Sequence, residues 1–373
     1  MTSLSKSIGR GSGRVTIRDV AQQAGVGIKT VSRVINGEPN VSAATAERVK
    51  AAIAQLQWEP DSHASNLRRT HTRTKSIGLL LGSVDNPFAA TTHRAIEDVA
   101  ASHGVAVLAS SLDEDPVREV AAVENFIRRK VDGLILTTST GNQSYLEELV
   151  PPRIPVVFID REPFGYEADV VRSDNVGGAA LGTRHLLARG HRRIAGIFDR
   201  SGIWTASQRK IGFLGALEEF DIPPDSYTIV DDVTTAEAAE AAVLALLGSP
   251  APPTAIFAGQ NLISIGVVRA LRKLGRQHEV ALVSFDDIEL GDLLDPGVTV
   301  IAQDPVAMGR TAAERLFAQL ASIHAGEQLP ATDLVLPVEL IVRGSGEIAP
   351  ATASATASAT TSARASARAQ RDA

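Results

Sequence analysis

Seven short runs of β-branched and apolar residues, each followed by a stretch with helical periodicity, constrain this chain more than any other feature. They lie at 77–81, 105–109, 134–137, 156–159, 194–198, 255–258 and 280–284. Strands that alternate with helices predict a parallel sheet covered on both faces. About 260 residues carry more strands than one compact half needs, so two α/β lobes with a cleft between them are expected. The full 373 residues also exceed what one core supports, which leaves room for a second kind of domain.

That second domain is announced by charge. The net charge is −6, yet residues 1–75 hold twelve Lys and Arg against five acids, a local +7 that leaves −13 on the rest. A basic module joined to an acidic domain is the balance expected of a nucleic-acid binder whose remainder DNA repels. Residues 1–14 are Ser, Gly and basic, and read as a disordered arm. From Thr16, Val20, Ala21 and Ala24 share one helical face; Gly25-Val26-Gly27 breaks the pattern; Val31, Val34 and Ile35 resume it before Asn36-Gly37. A third helix is predicted from about Ser42, a suitable N-cap, burying Val49, Ala52, Ile53 and Leu56. Three helices at 15–59 make a helix-turn-helix domain, 60–75 reads as a hinge helix and linker, 76–346 as the core, and 347–373 as a disordered low-complexity tail.

Other function classes recede. Apolar residues make up 44% of the chain, but no run approaches the roughly 20 residues of a membrane span. With no secretory signal visible, a soluble cytoplasmic protein is expected. The chain has no cysteine, so thiol chemistry and thiolate metal sites are excluded. Its eight histidines show no metal-ligand spacing. Neither a phosphate-binding Gly-x-x-x-x-Gly-Lys loop nor a Gly-x-Ser-x-Gly elbow appears, so neither a cofactor nor catalysis is expected.

A helix beginning near Ile28 would set its first turn against base edges. Lys29 suits guanine acceptors and Ile28 a thymine methyl; Arg33, one turn on, reaches for a guanine. Thr16, Thr30, Ser32, Asn36 and Asn40 suit phosphates. The run Val15 to Ala21, then Ala24-Gly25-Val26, then Thr30 to Gly37, closely resembles the LacI/GalR family of bacterial repressors. The resemblance continues through Asp85-Asn86-Pro87-Phe88, Val131-Asp132-Gly133, Ser173-Asp174-Asn175, the stretch 190–194 and the stretch 296–303. It implies that Ile28 and Lys29 carry much of the operator choice. Ala64, Leu67 and Arg68 match the family's hinge, where a leucine from each subunit enters the minor groove, so DNA binding and dimerisation are coupled. Gly27 departs from the small hydroxyl residue common there in the family.

The resemblance also implies a core like that of periplasmic sugar-binding proteins. In such folds ligands sit at the carboxyl ends of strands. The candidates are Asp85 and Asn86 after the first run, Asp160 and Arg161 after 156–159, Gln260 and Asn261 after 255–258, and Asp286 after 280–284. Arg209, in a helix begun near Trp204, matches the family's effector-binding arginine. Carboxylates, amides and an arginine suit a polyhydroxylated ligand, with Phe88 or Trp204 stacking on its apolar face. Each has an alternative reading: Asn86-Pro87 is a turn signal, and Asp160 or Asp286 can cap a helix. A solute-binding protein would need a signal and no basic module; a carbohydrate-acting enzyme would use the same acids for hydrolysis. The expectation is a homodimeric repressor on a palindromic operator, controlled by a sugar or sugar derivative. Some family members are tetramers held by a leucine-rich C-terminal helix; no leucines follow Leu340 here, so a dimer is expected.

Overall fold

The computed structural model describes residues 15–35, 38, 41–58, 74–139 and 141–350. The chain divides into two compact units, Met1–Arg73 and Thr74–Ala373. In the first, α1 (Ile17–Ala24), α2 (Ile28–Ile35) and α3 (Ala43–Leu56) enclose Val20, Ala21, Ala24, Val31, Val49 and Ala52. The local signals are those read in the sequence. Gly25 ends α1 with φ 64, a left-handed cap that glycine adopts without a Cβ penalty. Ser42 caps α3, its side chain accepting from the Thr45 N–H. Trp58 packs on this small core from just past α3. The expected hinge helix, the arm 1–14 and the tail beyond Pro350 fall outside the described residues; the first residues of the expected disordered tail, 347–350, are described, with Glu347 closing a 3-10 turn and Ile348 packed on a buried apolar cluster.

The second unit holds two six-stranded sheets. Its strands are β1 (Ser76–Leu81), β2 (Ala106–Ser111), β3 (Gly133–Leu136), β4 (Val156–Ile159), β5 (Asp169–Ser173), β6 (Ile194–Ile197), β7 (Tyr227–Val230), β8 (Ala255–Ala258), β9 (Ala281–Phe285), β10 (Thr299–Ala302), β11 (Asp333–Leu336) and β12 (Glu339–Ile341). Its helices are α4 (Pro87–Ser102), α5 (Pro116–Arg128), α6 (Tyr145–Leu149), α7 (Asn175–Ala188), α8 (Trp204–Glu219), α9 (Ala236–Leu247), α10 (Asn261–Leu274) and α11 (Pro305–Ala325).

The N-terminal lobe orders its strands β11-β5-β4-β3-β1-β2, all parallel. The C-terminal lobe orders them β12-β10-β9-β8-β6-β7, with only β12 antiparallel. Central strands such as β3, β4 and β8 are buried along their whole length, because helices cover both faces and no side of the strand meets water. Residues of α4 and α11 cover one face of the first sheet and α5 and α6 the other; α9 and α10 against α7 and α8 do the same for the second.

All seven expected runs are strands, with ends shifted by a residue or two. Five strands, β5, β7, β10, β11 and β12, went unforeseen. They matter because the chain passes between lobes three times: from β5 into α7, from β10 into α11, and from β11 to β12 across Pro337 and Val338. Each lobe is thereby built from discontinuous segments. Among the described residues no helix is long and apolar enough to cross a membrane.

Candidate functional site

The DNA-facing candidates lie on α2. Val31 is fully buried against α1 and α3, which turns the helix so that Ile28 and Lys29 in its first turn are exposed. Ile28 is 39% exposed, unusual for isoleucine in a module this small and suited to an apolar contact. Thr30 and Ser32 are half-buried, and Arg33 is exposed in the last turn. Arg33 Nε lies 3.7 Å from Glu38 Oε2, both groups exposed, a weak pairing that a base or phosphate displaces easily. The Gly27 carbonyl accepts from the N–H groups of Thr30 (2.9 Å) and Val31 (3.2 Å), so the residue that departs from the family pattern begins the recognition helix.

Thr16 is engaged within its own turn. Its N–H and hydroxyl both donate to Asp19 Oδ2 at 2.7 Å, and these bonds hold the Asp19 carboxyl below the usual carboxylate range. A phosphate contact from the Thr16 hydroxyl therefore requires that bond to rearrange. Asn36, Asn40, Ala64, Leu67 and Arg68 lie outside the described residues.

The effector candidates gather around Arg209, which α8 carries into the space between lobes. Its side chain is buried, and its guanidinium lies 3.8 Å over the Phe285 ring. Nε donates to Asn175 Oδ1 at 2.8 Å, while Nη1 donates to the Gly259 carbonyl at 2.8 Å and to Asp286 Oδ2 at 3.2 Å. Gln303 donates to the other Asp286 oxygen at 2.5 Å. Asp160 of the N-terminal lobe lies within electrostatic reach of Arg209 and Asp286. Burial pushes its carboxyl above the ordinary range, against the pull of Arg161 and Arg209.

Asp160 and Asp286 are placed in the same way by the two lobes. Each follows a buried strand, β4 or β9, and adopts a left-handed backbone, φ 68 and φ 69. The N–H of Asp160 donates to Val171 of β5 and that of Asp286 to Ile301 of β10, both at 2.9 Å. Neither caps a helix, which removes the alternative reading of both. A non-glycine residue held left-handed costs on the order of 1 kcal/mol, a strain found where side-chain aim matters.

Arg161 is buried beside them. It forms a bidentate pair with Glu114, both contacts 2.6 Å, and its Nη1 also donates to the Thr138 carbonyl at 2.8 Å. Its Nε is buried without a hydrogen-bond partner, 3.6 Å from Asp160 Oδ2. From the other lobe, Asp199 accepts from Gln260 Nε2 at 2.8 Å; burial raises its carboxyl, and Glu114 and Arg161 act on it across the gap. The lobes touch directly where Asn261 Nδ2 donates to Asn86 Oδ1 at 3.0 Å. Asn86 also caps α4 by accepting from Phe88 N–H.

The remaining candidates stand apart. Asp85 is exposed and accepts from Ser83 at 2.6 Å. Phe88 packs on the N-terminal lobe core. Trp204 lies under the Arg172 guanidinium at 5.3 Å, and Arg172 is paired in turn with Asp333. Sequence reasoning missed Glu114, Asn175, Asp199 and Gln303. Asp199 follows the 194–198 run and fits the strand-end rule; Asn175 and Gln303 follow strands that were not foreseen.

Comparison with known proteins accords with both units. A model described as bacterial regulatory proteins, lacI family, matches residues 16–61, and one described as a periplasmic binding protein-like domain matches residues 183–346. The HTH-type transcriptional regulator DegA of Bacillus subtilis is 33% identical over 337 residues, 89% of this chain and 98% of DegA. The ribose operon repressor of Halalkalibacterium halodurans is 33% identical over 330 residues, 88% of this chain and 96% of that protein. Among solved structures, the lac repressor dimer bound to operator and the anti-inducer ONPF is similar with a TM-score of 0.77 at 28% identity, covering 90% of this chain and 99% of that one. With this helix-turn-helix, this two-lobed core and relatives matched over nearly their whole length, the chain belongs to the lacI family of bacterial regulatory proteins, DNA-binding transcriptional regulators controlled by an effector.

Proposed function

We propose that the protein is a cytoplasmic repressor that binds a pseudo-palindromic operator as a homodimer and answers to an uncharged sugar held between its lobes. Arg209 and its surroundings carry the assignment: a buried guanidinium tied to Asp286 and Asn175 and facing Asp160. Such groups exchange strong charge-assisted hydrogen bonds with ring hydroxyls. The charge balance narrows the ligand. Arg161 is paired with Glu114 and Arg209 with Asp286, while Asp160 and Asp199 add negative charge. In the buried centre a phosphorylated or carboxylated sugar meets only guanidiniums that are already paired, with Arg200 beside Asp199 as a further cation at the exposed margin, so its desolvation is poorly compensated.

Residues Asp160, Arg161, Arg209, Asn261 and Asp286 form the centre of this site, with Gln303 and Asn175 as supports and Asp85, Asn86, Phe88, Trp204 and Gln260 at its margins. On the DNA side, Ile28, Lys29 and Arg33 read base edges, and Thr16, Thr30, Ser32, Asn36 and Asn40 hold phosphates. Leu67 with Ala64 and Arg68 forms the hinge, which places the DNA-binding domain at 15–59, the linker at 60–75 and the core at 76–346. The relatives are transcriptional regulators, and we assign no catalysis to the cleft acids.

Two measurements test this reading. Thermal-shift screening with neutral pentoses and hexoses, sugar phosphates and aldonic acids should raise the melting temperature only with a neutral sugar, since a ligand specific to the folded state adds RT ln(1 + [L]/Kd). A shift produced by phosphates or acids alone, or turnover of any sugar, overturns the effector assignment. Selection from randomised duplexes should enrich a two-fold symmetric site.

A further inference from the structure

Four strands of the N-terminal lobe end on one ion pair. Glu114 follows β2 and Arg161 follows β4, and Arg161 Nη1 also donates to the Thr138 carbonyl beyond β3 at 2.8 Å. A Cβ on Gly82, the residue after β1, would stand 3.7 Å from Glu114 Oε1 and 4.0 Å from Arg161 Nη2. The pair thus sits at the carboxyl ends of the strands, where α/β folds place ligands. Both Glu114 oxygens accept from the guanidinium fork at 2.6 Å, a bidentate geometry that guanidinium offers equally to any other carboxylate. Arg161 is buried, while Glu114 keeps 22% of its side chain open.

The backbone is strained to deliver this acid. Asp113 and Glu114 are both left-handed, φ 50 and φ 57, and no glycine lies between β2 and α5. Side chains seldom adopt that conformation, which persists only where the surroundings over-determine it. They do so here: Leu112 N–H donates to the Leu81 carbonyl at 2.9 Å and Asp113 N–H to the Gly82 carbonyl at 2.8 Å. The Asp113 carboxylate accepts from the Ser83 hydroxyl at 3.0 Å and from Arg118. Asp115 caps α5 by accepting from Val117 N–H at 2.8 Å. Its neighbours on either side are therefore fixed, and the carboxylate of Glu114 is committed to Arg161.

We propose that Glu114 sets the ligand class of the cleft: by occupying the Arg161 fork it makes the site refuse sugar acids, and without it the same cleft takes them. The proposal rests on the reading of the cleft as an effector site for a neutral sugar, and names the residue behind that choice. A ligand carboxylate entering the wild-type cleft competes with Glu114 for one fork and meets its charge, with Asp160 and Asp199 adding to the repulsion. Shortening Glu114 to alanine leaves Arg161 buried and unpaired, which is costly, and a ligand carboxylate restores the two bonds. Arg200 is exposed at the margin and Arg209 stays tied to Asp286, so the new affinity runs through Arg161.

The test uses the full chain in titration calorimetry with neutral pentoses and hexoses, each matched with its aldonate, such as ribose with ribonate. Glu114→Ala should bind an aldonate about tenfold or more tighter than wild type does. Adding Arg161→Gln to that variant should abolish the gain, an outcome that a merely structural role for Glu114 would not produce. Melting temperatures report whether each variant folds; if Glu114→Ala does not, Glu114→Gln, which keeps the shape and drops the charge, is read by the same criterion. No gain in aldonate affinity, or a gain that survives the loss of Arg161, overturns the proposal. A wild type that binds a neutral sugar beside a Glu114→Ala variant indifferent to aldonates sinks the selectivity role alone. A wild type that binds no neutral sugar, with the variant taking up an aldonate, sinks the neutral-sugar reading and leaves Glu114 standing. A wild type that binds aldonates as tightly as sugars removes both.

Discussion

Ile28 and Lys29 owe their exposure to Val31: burying that valine leaves the first turn of α2 facing outward. Lys29→Ala is expected to cost about 1 to 3 kcal/mol at one base pair and to relax selectivity there, whereas a phosphate contact would weaken all sequences alike. Equal loss across single-base variants of the operator would show that Lys29 does not read a base. In the cleft, Asp160, Arg161 and Asp286 were legible because each follows an apolar run, where α/β folds place ligands. What residue type alone did not reveal is how they are held: β5 of its own lobe holds the left-handed Asp160, and Arg209 acts on it from the other lobe. His191 illustrates another buried dependence. Its ring meets the Thr254 hydroxyl at 2.9 Å and the Ile348 carbonyl at 2.7 Å, and burial lowers it below the ordinary imidazole value of 6.5. The native state thus favours neutral imidazole, and the unfolded chain binds the proton more readily. Its stabilising contribution is complete above that ordinary value and is lost as pH falls below it. Melting temperature should fall more steeply on acidification in wild type than in His191→Asn; identical slopes would remove His191 as the cause.

Helices pair closely in this core where one of them presents glycine. A Cβ on Gly266 of α10 would lie 2.3 Å from the Ala236 carbonyl of α9, one on Gly212 of α8 2.1 Å from the Val176 carbonyl of α7, and one on Gly309 of α11 2.5 Å from the Thr92 carbonyl of α4. Gly266→Ala should therefore destabilise by about 1 to 3 kcal/mol through overpacking against backbone that cannot yield. Gly215 of α8 meets nothing within 4 Å, so Gly215→Ala should instead stabilise by roughly 0.5 to 1 kcal/mol from helix propensity. Calorimetry that finds the two alike would refute the packing explanation. Sequence periodicity gave no hint of these crossings, because glycine reads there as a weak helix former. The missed strands have a comparable cause. β7 and β11 lie at sheet edges with none of their residues fully buried, and β5 and β11 each begin with an aspartate, so their apolar runs are short.

Across the whole molecule, charge is divided by task. The +7 of residues 1–75 against −13 on the remainder predicts operator binding that falls steeply with salt. For 6 to 10 phosphate contacts the loss is about 10³ to 10⁵ between 50 and 200 mM. A flat salt profile in an operator titration would contradict phosphate neutralisation as the main attraction. The chain passes between the two lobes of the core three times, at β5–α7, β10–α11 and β11–β12, so the lobes are joined by three separate connections rather than one. The sequence by itself determined the local elements: three short helices capped at Thr16, Ser42 and Gly25, a basic module, buried parallel strands and the polar residues at their ends. These depend on neighbours a few residues away and on side-chain type. Only the tertiary structure decided which strands share a sheet, that Arg209 meets Asp286 and Asn175, and that Arg161 pairs with Glu114 rather than standing open. Those contacts join residues distant in the chain, and hydrophobic periodicity fixes which face of an element is buried without fixing which partner it meets.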